Sequence, residues 1–195
     1  MAGVQFPNTL QVGNAKLQIN GAGIRYKVVF KVYATALYLT DKATTPESVL
    51  ASAGPRHLQI VMLREIDANE LGRLFTRGME QNAAREDFIK SIPGIMRMSD
   101  VFSSRKKLVA GESFAVEWVP GVGTMILVNG KPAAEPIKGV AAFGRRAAPI
   151  EQGDHRVAEP EFYTTLMKIW LGKSPADAQL KEALLGRVSP ARDCS

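Results

Sequence analysis

The chain has 195 residues, of which 46% are hydrophobic and 23% charged, with a mean hydropathy of −0.05; this is the profile of one folded domain and not of a disordered segment. One cysteine and two histidines exclude an internal disulfide and all but exclude a Cys/His metal cage, and no run of about 18 apolar residues is present to span a bilayer. The net charge of +6 and pI near 9.5 raise nucleic acid as a partner. However, the densest basic runs, Arg105-Lys106-Lys107 and Arg145-Arg146, carry no interleaved aromatics, so they read as a solvated cationic surface and no nucleic-acid partner is expected.

In chain order, Met1-Ala2-Gly3 leads directly into Val4-Gln5-Phe6-Pro7 without a basic or apolar leader region, so no secretory signal is read in this chain. Phe6, Leu10 and Val12, then Leu17 and Ile19, read as two short strands around a Gly13-Asn14 turn. A Gly-Ala-Gly segment precedes a β-branched and aromatic run from Ile24 to Leu39. Pro46 to Val49 reads as a short helix capped by Thr45, and His57 to Leu63 as another strand. The period then changes. Asp67 caps a helix carrying Leu71, Leu74, Phe75 and Met79, and a second helix starts near Arg85 with Phe88, Ile89 and Ile92 inward. That second helix is expected to break at Pro93-Gly94, with a third helical piece over Ile95 to Phe102. Strands return at Ser113–Val119 and Thr124–Val128, followed by an Asn129-Gly130 turn. Ala133–His155 is the longest irregular stretch and reads as a mobile flap. Glu159–Leu171 is helical, and Ser174-Pro175 is expected to cap a last helix from Ala176 to Leu185. Strands, helices, strands and helices without βαβ alternation argue for an α+β domain with an antiparallel sheet and helices on one face. The expected organisation is one domain over 1–188 and a flexible tail over 189–195.

The common catalytic constellations are missing. No Gly-x-Ser-x-Gly elbow exists, and His57 and His155 sit in contexts that read as surface histidines. Gly21-Ala22-Gly23 leads into a strand-like run and not a helix, so it is no dinucleotide loop. Cys194 in the tail reads as idle unless it pairs between chains. Glu65 falls at a strand end, and Asp67 is a cap. Arg25 and Tyr33 are eight residues apart. They share a face if the strand is continuous, or pair directly across a hairpin with an odd-length loop. An arginine fork beside a phenol suits a carboxylate or an enolate oxygen; the alternative is an Arg25 that snorkels at a sheet edge while Tyr33 packs.

Gly21-Ala22-Gly23-Ile24-Arg25, followed by Phe30-Lys31-Val32-Tyr33-Ala34-Thr35-Ala36-Leu37-Tyr38-Leu39, resembles the N-terminal signature of the chalcone isomerase superfamily. The strand from His57, the helix after it, the strand opened by Gly123-Thr124 and the closing Leu171-Gly172-Lys173-Ser174-Pro175 recur in the family's order, so the resemblance runs from about Gly21 to Gly186. It implies an open-faced β-sandwich, in which a large antiparallel sheet packs against a helical layer and a ligand cleft lies between them. In the plant enzymes of the family an Arg stabilises the enolate formed as a phenolate attacks an enone. A Thr–Tyr pair holds an assisting water, and an Asn and a further Thr or Ser position the substrate. On this chain the resemblance places Arg25 on the catalytic Arg, Tyr33 on the first Thr, Leu71 on the Tyr, Gly78 on the Asn and Ile169 near the last Thr or Ser. A shift by one helical turn gives Phe75 and Asn82 instead.

Only the arginine survives, and Leu71 and Ile169 cannot make the polar contacts that separate catalysis from binding. Arg plus Tyr at these positions is similar to the fatty-acid-binding members, where the pair clamps a carboxylate head. The chain is therefore identified as resembling a non-catalytic, bacterial-type chalcone isomerase-like protein. Its expected ligand site comprises Arg25, Tyr33, Leu71, Phe75, Gly78, Asn82 and Ile169. The expected ligand is a fatty acid or similar carboxylate, and no cofactor or metal is implied. Members of this type are usually exported, which implies a periplasmic or secreted protein after signal removal; the alternative is cytoplasmic. Two other functions compete. One is an isomerase or lyase on an enone, with Arg25 catalytic. The other is a ligand-free interaction module that meets a protein partner through its cationic surface, with salt-sensitive binding.

Overall fold

The computed structural model describes residues 1–133 and 161–188. The expected flap at Ala133–His155 (beyond its first residue), His155, Cys194 and the 189–195 tail lie outside them. The described elements are β1 (Thr9–Val12), β2 (Ala15–Lys27), β3 (Phe30–Leu39), α1 (Pro46–Leu50), β4 (Arg56–Met62), β5 (Ile66–Asp67), α2 (Ala68–Asn82) and α3 (Arg85–Ser103). They continue with β6 (Lys107–Leu108), β7 (Ser113–Val119), β8 (Gly123–Val128), β9 (Lys131–Pro132), α4 (Glu161–Leu171) and α5 (Ala178–Leu184). Seven strands form one antiparallel sheet in the order β1-β2-β3-β4-β7-β8-β9, and β5 pairs with β6 separately.

Alternation along the strands separates two faces. Tyr33, Leu37 and Leu39 of β3, Leu58, Ile60 and Met62 of β4, and Phe114, Val116 and Trp118 of β7 join the main core with Leu71, Phe75 and Met79 of α2, Met98 and Phe102 of α3, and Leu166, Ile169 and Trp170 of α4. The opposite parity, Ala36 and Tyr38, packs with Val12 and Leu17 under Phe6, Leu10 and Ile19. The layered α+β architecture is thus the expected one.

Two β-bulges set the register of β2 against β3. The Ile24–Leu39 run is not continuous: it turns at Val28-Val29, so that Lys27 pairs with Phe30 and Tyr26 with Lys31. An uninterrupted ladder would place Val32 opposite Arg25. The register shift there leaves Val32 unpaired and brings Tyr33 opposite Arg25. The direct pairing comes from an even two-residue turn plus a bulge, not from an odd-length loop. The second shift leaves Asn20 unpaired between Ile19 and Gly21. Its buried amide donates to the carbonyls of Ala43 and Leu184 at 2.8 Å each and accepts from the Ala43 N–H at 2.8 Å.

The Gly-Ala-Gly segment lies inside β2, where it admits α5. A Cβ on Gly21 would sit 2.0 Å from the Ala183 carbonyl oxygen, and one on Gly23 would sit 2.7 Å from Leu180 Cδ1. Helix α5 starts after Asp177, whose side chain accepts from the Gln179 and Leu180 amides, so the cap is Asp177 and not Ser174-Pro175. Thr45 and Ser48 form a capping box on α1, and Asp67 caps α2 by accepting from the Glu70 amide at 2.9 Å.

The expected break at Pro93-Gly94 does not occur, since α3 runs through both. Proline removes one backbone donor but fits where packing supplies the rest. Gly94 lets the Phe162 ring of α4 approach so closely that a Cβ would lie 2.4 Å from it. The inward face of α3 is Ser91, Gly94, Ile95, Met98, Val101 and Phe102, whereas Ile89 and Ile92 are exposed.

Candidate functional site

The cleft lies where the β2–β3 pair, α2 and the segment after α4 meet. Its inner chamber of about 240 Å³ is lined by Arg25, Val32, Tyr33, Ile66, Leu71, Leu74, Phe75, Arg77, Gly78, Gln81, Ile169, Ser174, Pro175 and Ala176. An outer chamber of about 500 Å³ shares Arg25, Val32, Ile66 and Leu74 with it and continues along Lys27, Val28, Phe30 and Arg64. The inner volume alone is small for a ligand site, while the two chambers together fall in the usual range.

Arg25 and Tyr33 are direct cross-strand partners, with the guanidinium carbon 6.0 Å from the phenol ring centroid. Tyr33 is buried to 2% exposure, and its oxygen accepts from Trp170 Nε1 at 2.8 Å. Nothing among the described residues accepts the Tyr33 proton in return. Burial pushes the Tyr33 phenol up to about 12, against the lowering pull of Arg25 and of the Trp170 hydrogen bond, while Asp177 adds to the rise. The hydroxyl is therefore a neutral donor at any ordinary pH. Arg25 is half-buried and forms no hydrogen bond or ion pair within the described residues. Asp177 forms no ion pair with it; its oxygens accept instead from the backbone amides of Tyr26, Gln179 and Leu180. A half-buried cation and a buried hydroxyl proton thus face the same space without acceptors among the described residues. Burying polar groups that way is costly unless something else supplies an acceptor.

The remaining expected residues fall into two groups. Leu71, Phe75, Gly78 and Ile169 line the inner chamber. Leu71, Phe75 and Ile169 are exposed by only 2–3%, so they form a packed floor. Phe75 meets Phe102, Phe114 and Trp170 at ring-centroid distances of 5.9, 5.7 and 5.4 Å. Gly78 lets α2 come close to α4, where a Cβ would meet Ile169 Cγ1 at 3.1 Å. Asn82 is elsewhere, being absent from the lining of both chambers. Its amide donates to the Gly78 and Ser174 carbonyls at 2.9 and 2.8 Å and accepts from the Ser174 N–H at 2.7 Å, tying the end of α2 to the segment after α4.

Arg77 and Gln81 were not singled out from the sequence. They stand with Leu74 and Gly78 on the stripe of α2 that also carries Leu71, and the 3- and 4-residue spacing of that stripe was the available signal. Arg77 is exposed and makes no ion pair among the described residues, so a second cation borders the cleft.

His57 is not at the surface. It is 4% exposed, on the sheet face away from the cleft, with Nδ1 2.7 Å from Glu117 Oε2 and Nε2 3.0 Å from Gln59 Oε1. Tyr38 packs edge-on against it at 6.0 Å and donates to the Pro7 carbonyl at 2.9 Å. Of the basic run, Arg105 pairs with Glu112, and Lys107 pairs with Glu65 at 2.8 Å.

A family model described as chalcone isomerase-like matches residues 1–145 and 148–186 of the chain. No curated protein sequence matches it. Among solved structures it is similar to the crystal structure of an Arabidopsis thaliana fatty-acid binding protein, with 11% identity and a TM-score of 0.61 over 94% of this chain and 92% of that one. At that identity the likeness establishes the fold.

Proposed function

The chain belongs to the chalcone isomerase-like family, and from that premise we propose that it binds a fatty acid or similar carboxylate lipid in the cleft without converting it. The carrying observation is the Arg25–Tyr33 pair, a cation and a hydroxyl proton that lack acceptors among the described residues and face one largely apolar chamber. One carboxylate satisfies both, accepting from the guanidinium fork and from the phenol. The acyl chain then covers Leu71, Leu74, Phe75 and Ile169 and extends into the outer chamber. The similar solved structure is of a fatty-acid binding protein, which agrees with this reading. Leu71, Gly78 and Ile169, at the positions that enzymes of the superfamily fill with polar side chains, bring no group that could hold a catalytic water.

The test is the affinity for laurate and palmitate by calorimetry or displacement of a fluorescent fatty acid. A charge-assisted hydrogen bond is worth about 1.5–3 kcal/mol, so Arg25→Ala weakens binding by about 10- to 100-fold. Unchanged affinity in that variant sinks the reading. Turnover of chalcones above the spontaneous rate that is lost in Arg25→Ala replaces it with an isomerase.

A further inference from the structure

The tip of the β2–β3 hairpin is the most exposed apolar feature of the described residues. Val28 is 89% exposed, Val29 76%, Phe30 57% and Tyr26 40%. Such a cluster on a two-residue turn contradicts the ordinary chemistry of hairpins, whose turn positions go to Gly, Asn or Asp. Val28 also sits at a φ of +59°, a backbone region that disfavours β-branched side chains. The turn therefore holds exposed Val28 at a conformational cost that asparagine or glycine would relieve, and no packing within the described residues compensates for it.

The surroundings say what covers it. Lys27 and Lys31 flank the valines, both exposed and with no carboxylate partner among the described residues, and Arg64 lays its guanidinium over the Phe30 ring at 4.8 Å. The nearby acids are largely engaged: Glu65 pairs with Lys107, and Asp67 caps α2, which leaves Glu70 on the wall of the outer chamber. An apolar tip within a collar of cations is complementary to a surface with anionic headgroups above hydrocarbon.

We propose that the β2–β3 hairpin tip docks into the surface of an anionic lipid bilayer, with Val28, Val29 and Phe30 entering the headgroup–acyl boundary and Lys27, Lys31 and Arg64 meeting the headgroups. Docked in this way, the outer chamber opens beside the bilayer, because Val28 and Phe30 form part of its wall and Arg25 lies at its inner end. The docking stands on the tip itself and not on what the cleft holds.

Co-sedimentation with vesicles of equal parts phosphatidylglycerol and phosphatidylcholine tests it. The wild-type chain is expected to sediment with them, more weakly as salt is raised and more weakly with phosphatidylcholine alone. Val29→Asp, at an exposed position that lines neither chamber, is expected to lower the partition coefficient about tenfold or more while keeping the Tm and the laurate affinity. Val28→Asn is expected to raise the Tm by relieving the turn while also weakening vesicle binding. A wild-type chain that ignores the vesicles, equal binding to neutral vesicles, or binding unchanged in Val29→Asp overturns the proposal. So does a dimer in sedimentation velocity that Val29→Asp dissociates, which would assign the tip to a second copy. Arg25→Ala separates the two readings, since it weakens laurate binding by about 10- to 100-fold and leaves vesicle binding within about twofold.

Discussion

The two faces of the central sheet carry the same strands and opposite polar chemistry. On the outer face, His57 has an oxygen partner at each ring nitrogen, Glu117 and Gln59, and Tyr38 above it gives its proton to Pro7. On the helix-covered face, Tyr33 accepts from Trp170 but keeps a proton to donate, and Arg25 beside it has no acceptor among the described residues. A histidine next to a glutamate looks more like a catalytic group than an arginine next to a tyrosine. Completeness of hydrogen bonding reverses that ranking: a closed polar network holds a fold together, and on the proposed reading the open Arg25–Tyr33 pair takes the ligand.

This contrast can be broken at several points. The largest effect is expected from Phe75→Ala, which removes the ring joining Phe102, Phe114 and Trp170 and costs about 3–5 kcal/mol of stability, read by urea unfolding. A loss below about 1 kcal/mol would mean that the cleft floor is loose, not packed. Next comes Glu117→Ala, which leaves buried His57 without one of its two partners. It costs about 2–3 kcal/mol and leaves laurate affinity unchanged; a change in affinity would couple the two faces. Arg25→Ala should show the opposite profile, with stability within about 0.5 kcal/mol of wild type alongside the large loss of affinity. Marked unfolding of that variant would make Arg25 a structural group.

Tyr33→Phe sharpens the comparison most finely. It removes one donated hydrogen bond to the ligand, worth about 1 kcal/mol or roughly fivefold in affinity. Its pH behaviour follows from the phenol standing at about 12 when folded, against the ordinary 10.0 of a tyrosine in an unfolded chain. Between these values the folded state binds more protons than the unfolded one, so stability falls as pH rises. The contribution is fully present below pH 10 and lost by about pH 12, and Tyr33→Phe removes it. Tyr38 and Tyr163 are also raised by burial and keep the remaining alkaline sensitivity. Chemical denaturation from about pH 8 to 12 reads the difference between the two proteins; parallel curves would show that Tyr33 titrates as if exposed.

Elements with local signals were legible. Thr45 starts α1, Asp67 and Glu70 start α2, and strand-rich runs outline β4, β7 and β8, because caps and strand-forming runs depend on residues within a turn or two. Local rules misplaced the end of the second helix, where α3 passes Pro93 because Phe162 of a distant helix fills the space over Gly94. They misplaced His57 as well, since its burial and its Glu117 partner come from 60 residues downstream. Asn82 was expected in the cleft because the resemblance aligns residues along α2. Its amide is spent on Ser174, a contact across 92 residues that no helical spacing encodes.

By itself the sequence determined the layered α+β class, which rests on the order and period of its apolar runs. Its resemblance to the chalcone isomerase superfamily, carried by a signature on neighbouring strands, put Arg25 and Tyr33 forward as the head of a ligand site and Leu71, Phe75 and Ile169 as its apolar lining. Only the tertiary structure decided that Arg25 and Tyr33 are direct partners and that both are left short of acceptors among the described residues. The pairing hangs on a one-residue bulge at Val32, because a shift of one residue exchanges the faces of a strand. The open hydrogen bonds show only once every other group near them, Asp177 and Trp170 included, has been placed. Satisfaction is a property of the whole packed arrangement and not of a segment.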